Sequence, residues 1–447
     1  MKRTRFCLQR GVLLALCVAS MLGTDLCFAQ KLSKQARSWV AEIENRFTVQ
    51  PGGKLNMHDI SGDVTIGTWD KSEVYILERR RMDVFTRTEA EEAMKRAQEA
   101  YRQVGNVVEV DGSEFQRRWM ESTFSVTVPM RFDVEVRTSG GDLRLSDLQG
   151  TISLKTAGGD ITVRKTVGDA ELSTSGGDIT IEGNEGALKA ATAGGDIKAS
   201  RIAQRAKLTT SGGDILLVDI GGEVEASTAG GDITVRETKG RVVVSTSGGD
   251  IVLQNVGGEV EAKTAGGDIQ VRTSTGAVKA TTSGGDIVLW DIGGPVTAKT
   301  AGGDIRSQGI KGGVQAVTSG GDIELFGVGG FIEASTAGGD LSAEMTLTDF
   351  SRDHHVRMRT SGGEVTLVIP EGLPATVNAV LKITERAWEK YEIVSDFPLT
   401  INEEPATGKG RRSARVLTAT GDLNGGGDPI EIETTNGNIR IRKLRKP

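Results

Sequence analysis

Twelve Gly-Gly-Asp triplets recur with their aspartates 18 residues apart, and no other feature narrows the possible folds so far. The aspartates are Asp142, Asp160, Asp178, Asp196, Asp214, Asp232, Asp250, Asp268, Asp286, Asp304, Asp322 and Asp340. A threonine stands four residues before each one, from Thr138 to Thr336. The residue after that threonine alternates strictly between serine and alanine, as in Ser139, Ala157, Ser175 and Ala193. A fixed period of this kind marks a solenoid, in which each unit buries its apolar face only by stacking on its neighbours.

Counting from each Asp as position 0, position +1 is isoleucine or leucine and position +3 is apolar in every unit except at Ser307. Positions +10 and +12 are apolar throughout, as at Val224 and Ala226. Spacings of two indicate strands with one buried face, so each unit reads as two short strands, near +1 to +5 and +9 to +14. Glycine follows at +8 in every complete unit except at Gln204. The Gly-Gly pair is expected to supply positive φ at sharp corners. Large residues on the first strand face smaller ones on the second, which suits a narrow core. The expected fold is all-β: a right-handed parallel β-solenoid with 18 residues per coil. The Ser/Ala alternation leaves open a coil of 36 residues with four strands. In that larger coil the apolar outer positions of the Ser-type units would pack internally.

The flanks break the period. Residues 30–137 read as a β-rich cap with one accessory helix, about 88–105. Thr88 and Glu91 would form its capping box, Gly105 would end it, and Ala90, Ala93, Met94, Ala97, Tyr101 and Val104 would be its apolar stripe. Ser61-Gly62-Asp63-Val64-Thr65-Ile66 resembles a degenerate first coil. Residues 138–345 form the regular solenoid. Residues 346–447 are irregular coils and a cap, closing on Thr434-Thr435-Asn436-Gly437-Asn438-Ile439, a worn copy of the repeat. Residues 1–29 carry Lys2, Arg3, Arg5 and Arg10, an apolar run and a Cys27-Phe28-Ala29 cleavage signature, and read as a secretory signal peptide. All three cysteines lie inside it, so the exported chain would be stabilised by packing alone, without disulfides. Removing the leader's net +3 from the whole-chain −6 leaves −9, which disfavours nucleic acid as a partner. No later run is long and apolar enough to be a membrane span.

Four chemistries follow from the residues. The Asp array could bind calcium as stacked glycine-rich turns do, although Gly-Gly-Asp runs straight into isoleucine. The competing role is for each Asp to accept backbone N–H groups in its own turn. His354 and His355 beside Asp353 could hold a metal or simply lie in a solvated loop. Serines occur as turn residues, outside any nucleophile elbow. Asp and Glu are plentiful enough that a carboxylate pair for glycoside hydrolysis stays open. No catalytic, cofactor or metal residue is assigned.

Taken together, Ser61-Gly62-Asp63-Val64, Trp69-Asp70, Val126-Thr127-Val128-Pro129, the Ser/Ala-Gly-Gly-Asp-Ile array and Val365-Thr366-Leu367-Val368-Ile369-Pro370 resemble a bacterial family of unknown function that carries an adhesin label, made of Gly-Asp-Ile β-strand repeats. The resemblance implies an exported solenoid of the cell envelope with no catalytic residues to carry over. The expected function is therefore a non-enzymatic adhesive or structural surface, located in the periplasm, at the cell surface or outside the cell. Its partner would be an envelope or extracellular protein or polysaccharide, met through Leu216, Val218, Val252, Val288, Trp290 and Phe326. The alternatives are a carbohydrate-active β-helix enzyme and a calcium-binding repeat protein.

Overall fold

A computed structural model describes residues 29–113, 120–384, 390–405 and 415–445. The proposed leader lies outside these residues except for Ala29, which opens a strand, Ala29–Gln35. The chain divides into two compact units between Gly213 and Asp214.

In each unit, the strand that follows a repeat Asp and the strand that precedes the next repeat Thr stack into two separate parallel sheets, here the leading and trailing sheets. Register settles the size of the coil. Ile161 pairs with Ile179, and Ile251 with Ile269, one repeat away. The coil is therefore 18 residues, and Ser-type and Ala-type units alternate along the same sheet rather than forming separate ones. Both inner faces are apolar: Ile251, Leu253, Val260 and Ala262 are fully or almost fully buried in one coil.

The leading strand breaks its own alternation. Position +5 adopts a left-handed backbone in every regular coil of the second unit from Asp219 (φ 59°) to Gly327 (φ 69°), and at Asp147, Lys165, Gly183 and Arg201 in the first. That kink turns the +6 side chain back toward the core. Ile202, Ile220, Val256, Ile292 and Val328 are consequently buried two residues after an outward-facing side chain.

The paired glycines act differently from expectation. Among those of the twelve triplets only Gly141 has positive φ. The second glycine is required by the approach of the neighbouring coil instead: a Cβ on Gly267 would lie 2.1 Å from the Gly249 carbonyl oxygen. On the first glycine, Gly266, a Cβ would stand 3.3 Å from the nearest atom.

In the first unit the leading sheet starts from an antiparallel cap. Ser38–Thr48 pairs with Glu73–Met82, which pairs with Met120–Pro129. The parallel part then begins, with Gly62–Trp69 between Met120–Pro129 and Leu143–Ser146. Val64 stands opposite Leu143, so the degenerate first coil is a true rung. Helix α1 spans Arg87–Gln98, shorter than expected and capped two residues earlier, by the Thr86–Glu89 box. Glu89 Oε2 accepts from the N–H groups of both Phe85 and Thr86, and this settles the choice between two similar Thr-x-x-Glu boxes. The helix stops at Glu99 because Tyr101–Val104 is a strand, paired antiparallel with Val107–Asp111 around Gly105 (φ 61°). Ala90, Ala93, Met94 and Ala97 are its buried stripe; Tyr101 is buried from the strand, and Val104 is exposed.

In the second unit the chain leaves the stack and returns. Val365–Ile369 pairs with Ile439–Lys443, which pairs in turn with Ile393–Ser395. The worn C-terminal repeat is thus inserted as the rung after residue 369, ahead of segments that precede it in sequence. Ala375–Ile383, Arg415–Leu423 and Thr400–Pro405 close the trailing sheet, the last two pairings being antiparallel.

Candidate functional site

Each corner is held by two repeating hydrogen-bond systems. The repeat threonine points inward, as in Thr246 and Thr264, both 7% exposed. Its hydroxyl donates to a glycine carbonyl of the preceding coil and accepts from the glycine N–H three residues on. For Thr264 these contacts are Gly249 O at 2.9 Å and Gly267 N at 3.3 Å. The repeat aspartate does bond backbone, but in the next coil and not in its own turn. The Asp268 N–H donates to Asp250 Oδ1 (2.8 Å), and the Asp286 N–H to Asp268 Oδ1 (2.8 Å). The same link joins Asp63, Asp142, Asp160, Asp178 and Asp196 in the first unit. In the second it runs from Asp214 through Asp232, Asp250, Asp268, Asp286, Asp304 and Asp322 to Asp340, and ends on the Glu364 N–H. Within each run, every aspartate that precedes another therefore commits one carboxylate oxygen to the backbone of the next coil. Some of the outer oxygens are neutralised locally, as by Arg144 on Asp142 (2.8 Å) and Arg306 on Asp304 (2.9 Å). Among the described residues, no three of these aspartates bring their carboxylates together around one point.

The six apolar positions named from sequence all lie on the outer face of the second unit's leading sheet. Leu216, Val218, Val252, Val288 and Trp290 are half-buried, and Phe326 is 43% exposed. Their half-burial has a visible cause in the register. Val218 stands beside Arg236, and Trp290 between Arg272 and Gln308. The Arg272 side chain of an Ala-type coil lies over Trp290 of the next Ser-type coil, its guanidinium 4.6 Å from the ring centre. The result is a face on which apolar and cationic side chains alternate from coil to coil. With an 18-residue coil these side chains are outside the core, so internal packing within a larger coil does not account for them.

The two histidines differ in their surroundings, His354 being buried and His355 partly exposed. His354 is only 4% exposed, so it is not in a solvated loop. Its Nδ1 is 2.7 Å from the Arg352 carbonyl and its Nε2 2.8 Å from the Pro374 carbonyl. Carbonyls only accept, so this pairing favours the ring with an N–H on both nitrogens. Burial alone pushes the imidazole pKa down, but these two hydrogen bonds and the Asp428 and Asp353 carboxylates outweigh it and raise it. His355 uses one nitrogen on Asp353 (2.7 Å) and the other toward Glu333 (3.4 Å), and stacks on Phe331.

One polar centre went unnoticed in the sequence. Glu78 and Arg80 are fully buried beside one another, with Arg80 Nε donating to Glu78 Oε1 (2.7 Å). The Tyr101 hydroxyl and Ser122 Oγ each donate to the same carboxylate at 2.6 Å. Burial, followed by the Glu78 charge, pushes the Tyr101 phenol well up. The available signal was parity: Val74, Ile76, Glu78, Arg80 and Met82 share one face of their strand. A buried ion pair adds little net stability, because the cost of desolvating both charges offsets their attraction.

A family model described as Toastrack DUF4097 matches this chain over residues 55–253, 187–308 and 258–384. No curated protein and no solved structure matches it. Among the described residues no helix is long and apolar enough to cross a membrane.

Proposed function

The chain belongs to the Toastrack DUF4097 family, a repeated-β domain of unknown function, and we propose that it is a non-enzymatic interaction surface of the bacterial cell envelope, exported by its N-terminal leader. The observation that carries this reading is the outer face of the second unit's leading sheet, where apolar rows ending in Trp290 and the exposed Phe326 alternate with arginine rows. Such a face offers many weak contacts at a regular spacing, as an adhesive or scaffolding surface requires, and its cations can meet the acidic groups of an envelope protein or polysaccharide. The corner residues that might have carried chemistry, the threonine and aspartate ladders, are engaged in joining coils.

Co-sedimentation of the purified chain with isolated bacterial cell envelopes and with purified peptidoglycan tests the reading. The double variant W290S/F326S should bind at least about tenfold more weakly while melting within a few degrees of the parent. Equal binding by the variant, or release of reducing ends from the polysaccharide by the parent, would overturn it.

A further inference from the structure

The cap of the first unit holds three metal-ligating side chains that the solenoid does not use. His58 is on the strand Gly53–Ile60, and its cross-strand partner on the parallel neighbour Val107–Asp111 is Asp111. Asp59 would ordinarily face the opposite side of the sheet. Its backbone is left-handed (φ 53°), and the pairing with Phe132–Thr138 slips between Met57 and Ile60. This bulge brings Asp59 round to the face of His58. His58 Nδ1 then lies 3.1 Å from Asp59 Oδ2 and 3.7 Å from Asp111 Oδ1, and all three donor atoms fall within 4.8 Å of one another. No other described residues do this.

The arrangement is held from behind. The Gly112 N–H donates to the His58 carbonyl (2.9 Å), and a Cβ on Gly112 would fall 2.5 Å from the Asp59 carbonyl oxygen. The Ser113 N–H donates to Asp111 Oδ1 (3.0 Å) and, with the Ser113 side chain, holds the Asp111 carboxyl below the usual range.

We propose that His58, Asp59 and Asp111 bind a divalent transition-metal ion of the zinc class. Donors bound at about 2.0–2.2 Å stand about 3–3.5 Å from each other, so the observed separations need only small side-chain adjustments. One imidazole nitrogen with two carboxylates favours zinc, cobalt or manganese over calcium, which takes six to eight oxygens. His58 is 28% exposed, Asp111 34% and Asp59 64%, so the remaining coordination positions face solvent. His355 makes no comparable site, because its two carboxylates lie on different ring nitrogens.

Isothermal titration of the full chain with zinc chloride tests this, with cobalt absorption as a second readout. One ion should bind per chain, more tightly than calcium. D59G removes a ligand at a backbone conformation that glycine adopts freely, so it should remain folded and lose at least about tenfold in affinity. H58N should do the same, and H355N should bind as the parent does. Circular dichroism of each variant verifies folding, and D59G decides if H58N misfolds. Absence of zinc binding, binding undiminished in folded D59G, loss in H355N, or a preference for calcium overturns the proposal.

Discussion

Replacing Thr264 by valine removes one hydroxyl from a buried corner and keeps the side chain's shape. The hydroxyl donates to the Gly249 carbonyl (2.9 Å) and accepts from the Gly267 N–H (3.3 Å), so valine strands a carbonyl of one coil and an amide of the next. Leaving a buried polar group unsatisfied costs about 1–3 kcal/mol. The carbonyl contact is short and should carry the larger share; the amide contact is long and should carry the smaller. We expect a loss of about 2–4 kcal/mol, read as a lower midpoint in guanidinium unfolding followed by circular dichroism. T264S keeps the hydroxyl and loses only a methyl group, so it should cost about 1 kcal/mol or less. Because coils in a solenoid are stabilised through their neighbours, the loss should also appear as faster amide exchange in the coils on both sides. A valine variant within about 0.5 kcal/mol of the parent, or a serine variant equally damaged, would refute the view that the threonine ladder works through its hydroxyls.

Three further outcomes are expected. G267A should unfold the chain or cost about 3 kcal/mol or more, because its Cβ would sit 2.1 Å from the Gly249 carbonyl, whereas G266A, with 3.3 Å, should cost about 1 kcal/mol or less; equal melting temperatures would contradict this. T273G should stabilise by about 1 kcal/mol, since a β-branched residue is exposed there at φ 61°, and a lower midpoint would count against strain at that kink. His354 has a raised pKa, so its contribution to stability is complete below the ordinary histidine value and fades as pH rises through the folded value; the melting temperature should fall across that range, and H354Q should flatten the profile.

The repeat itself announced the coil. Strict alternation at +1, +3, +10 and +12 placed Ile251, Leu253, Val260 and Ala262 in the core, because a strand with one buried face has a period of two. The threonine ladder's inward direction followed from the same parity. The kink at +5 had a signal too, in Asp147, Gly183, Asp219, Asn255 and Asp291, residues that tolerate left-handed backbone; in Ala-type units Lys165, Arg201, Glu237 and Thr273 hide it. The outer apolar residues were also visible, but which side chains flank them was not, since that depends on whether adjacent rungs are 18 or 36 residues apart.

What remained for the tertiary structure was every contact between segments distant in the chain. Composition and period determine that a coil forms and which of its side chains face inward, because those depend on local alternation and on an identical neighbour. They carry no information on where a degenerate copy docks, so only the fold decides that Ile439 pairs with Val365 and that Val64 pairs with Leu143. The start of the helix was a contest between two nearly equivalent capping boxes, decided by the Phe85 and Thr86 amides converging on Glu89. The meeting of His58 with Asp111 needs a parallel pairing across a helix and a hairpin, and a bulge to turn Asp59 toward them. Side-chain chemistry is written locally, whereas its convergence is a property of strand pairing, and strand pairing is set by burial over the whole sheet.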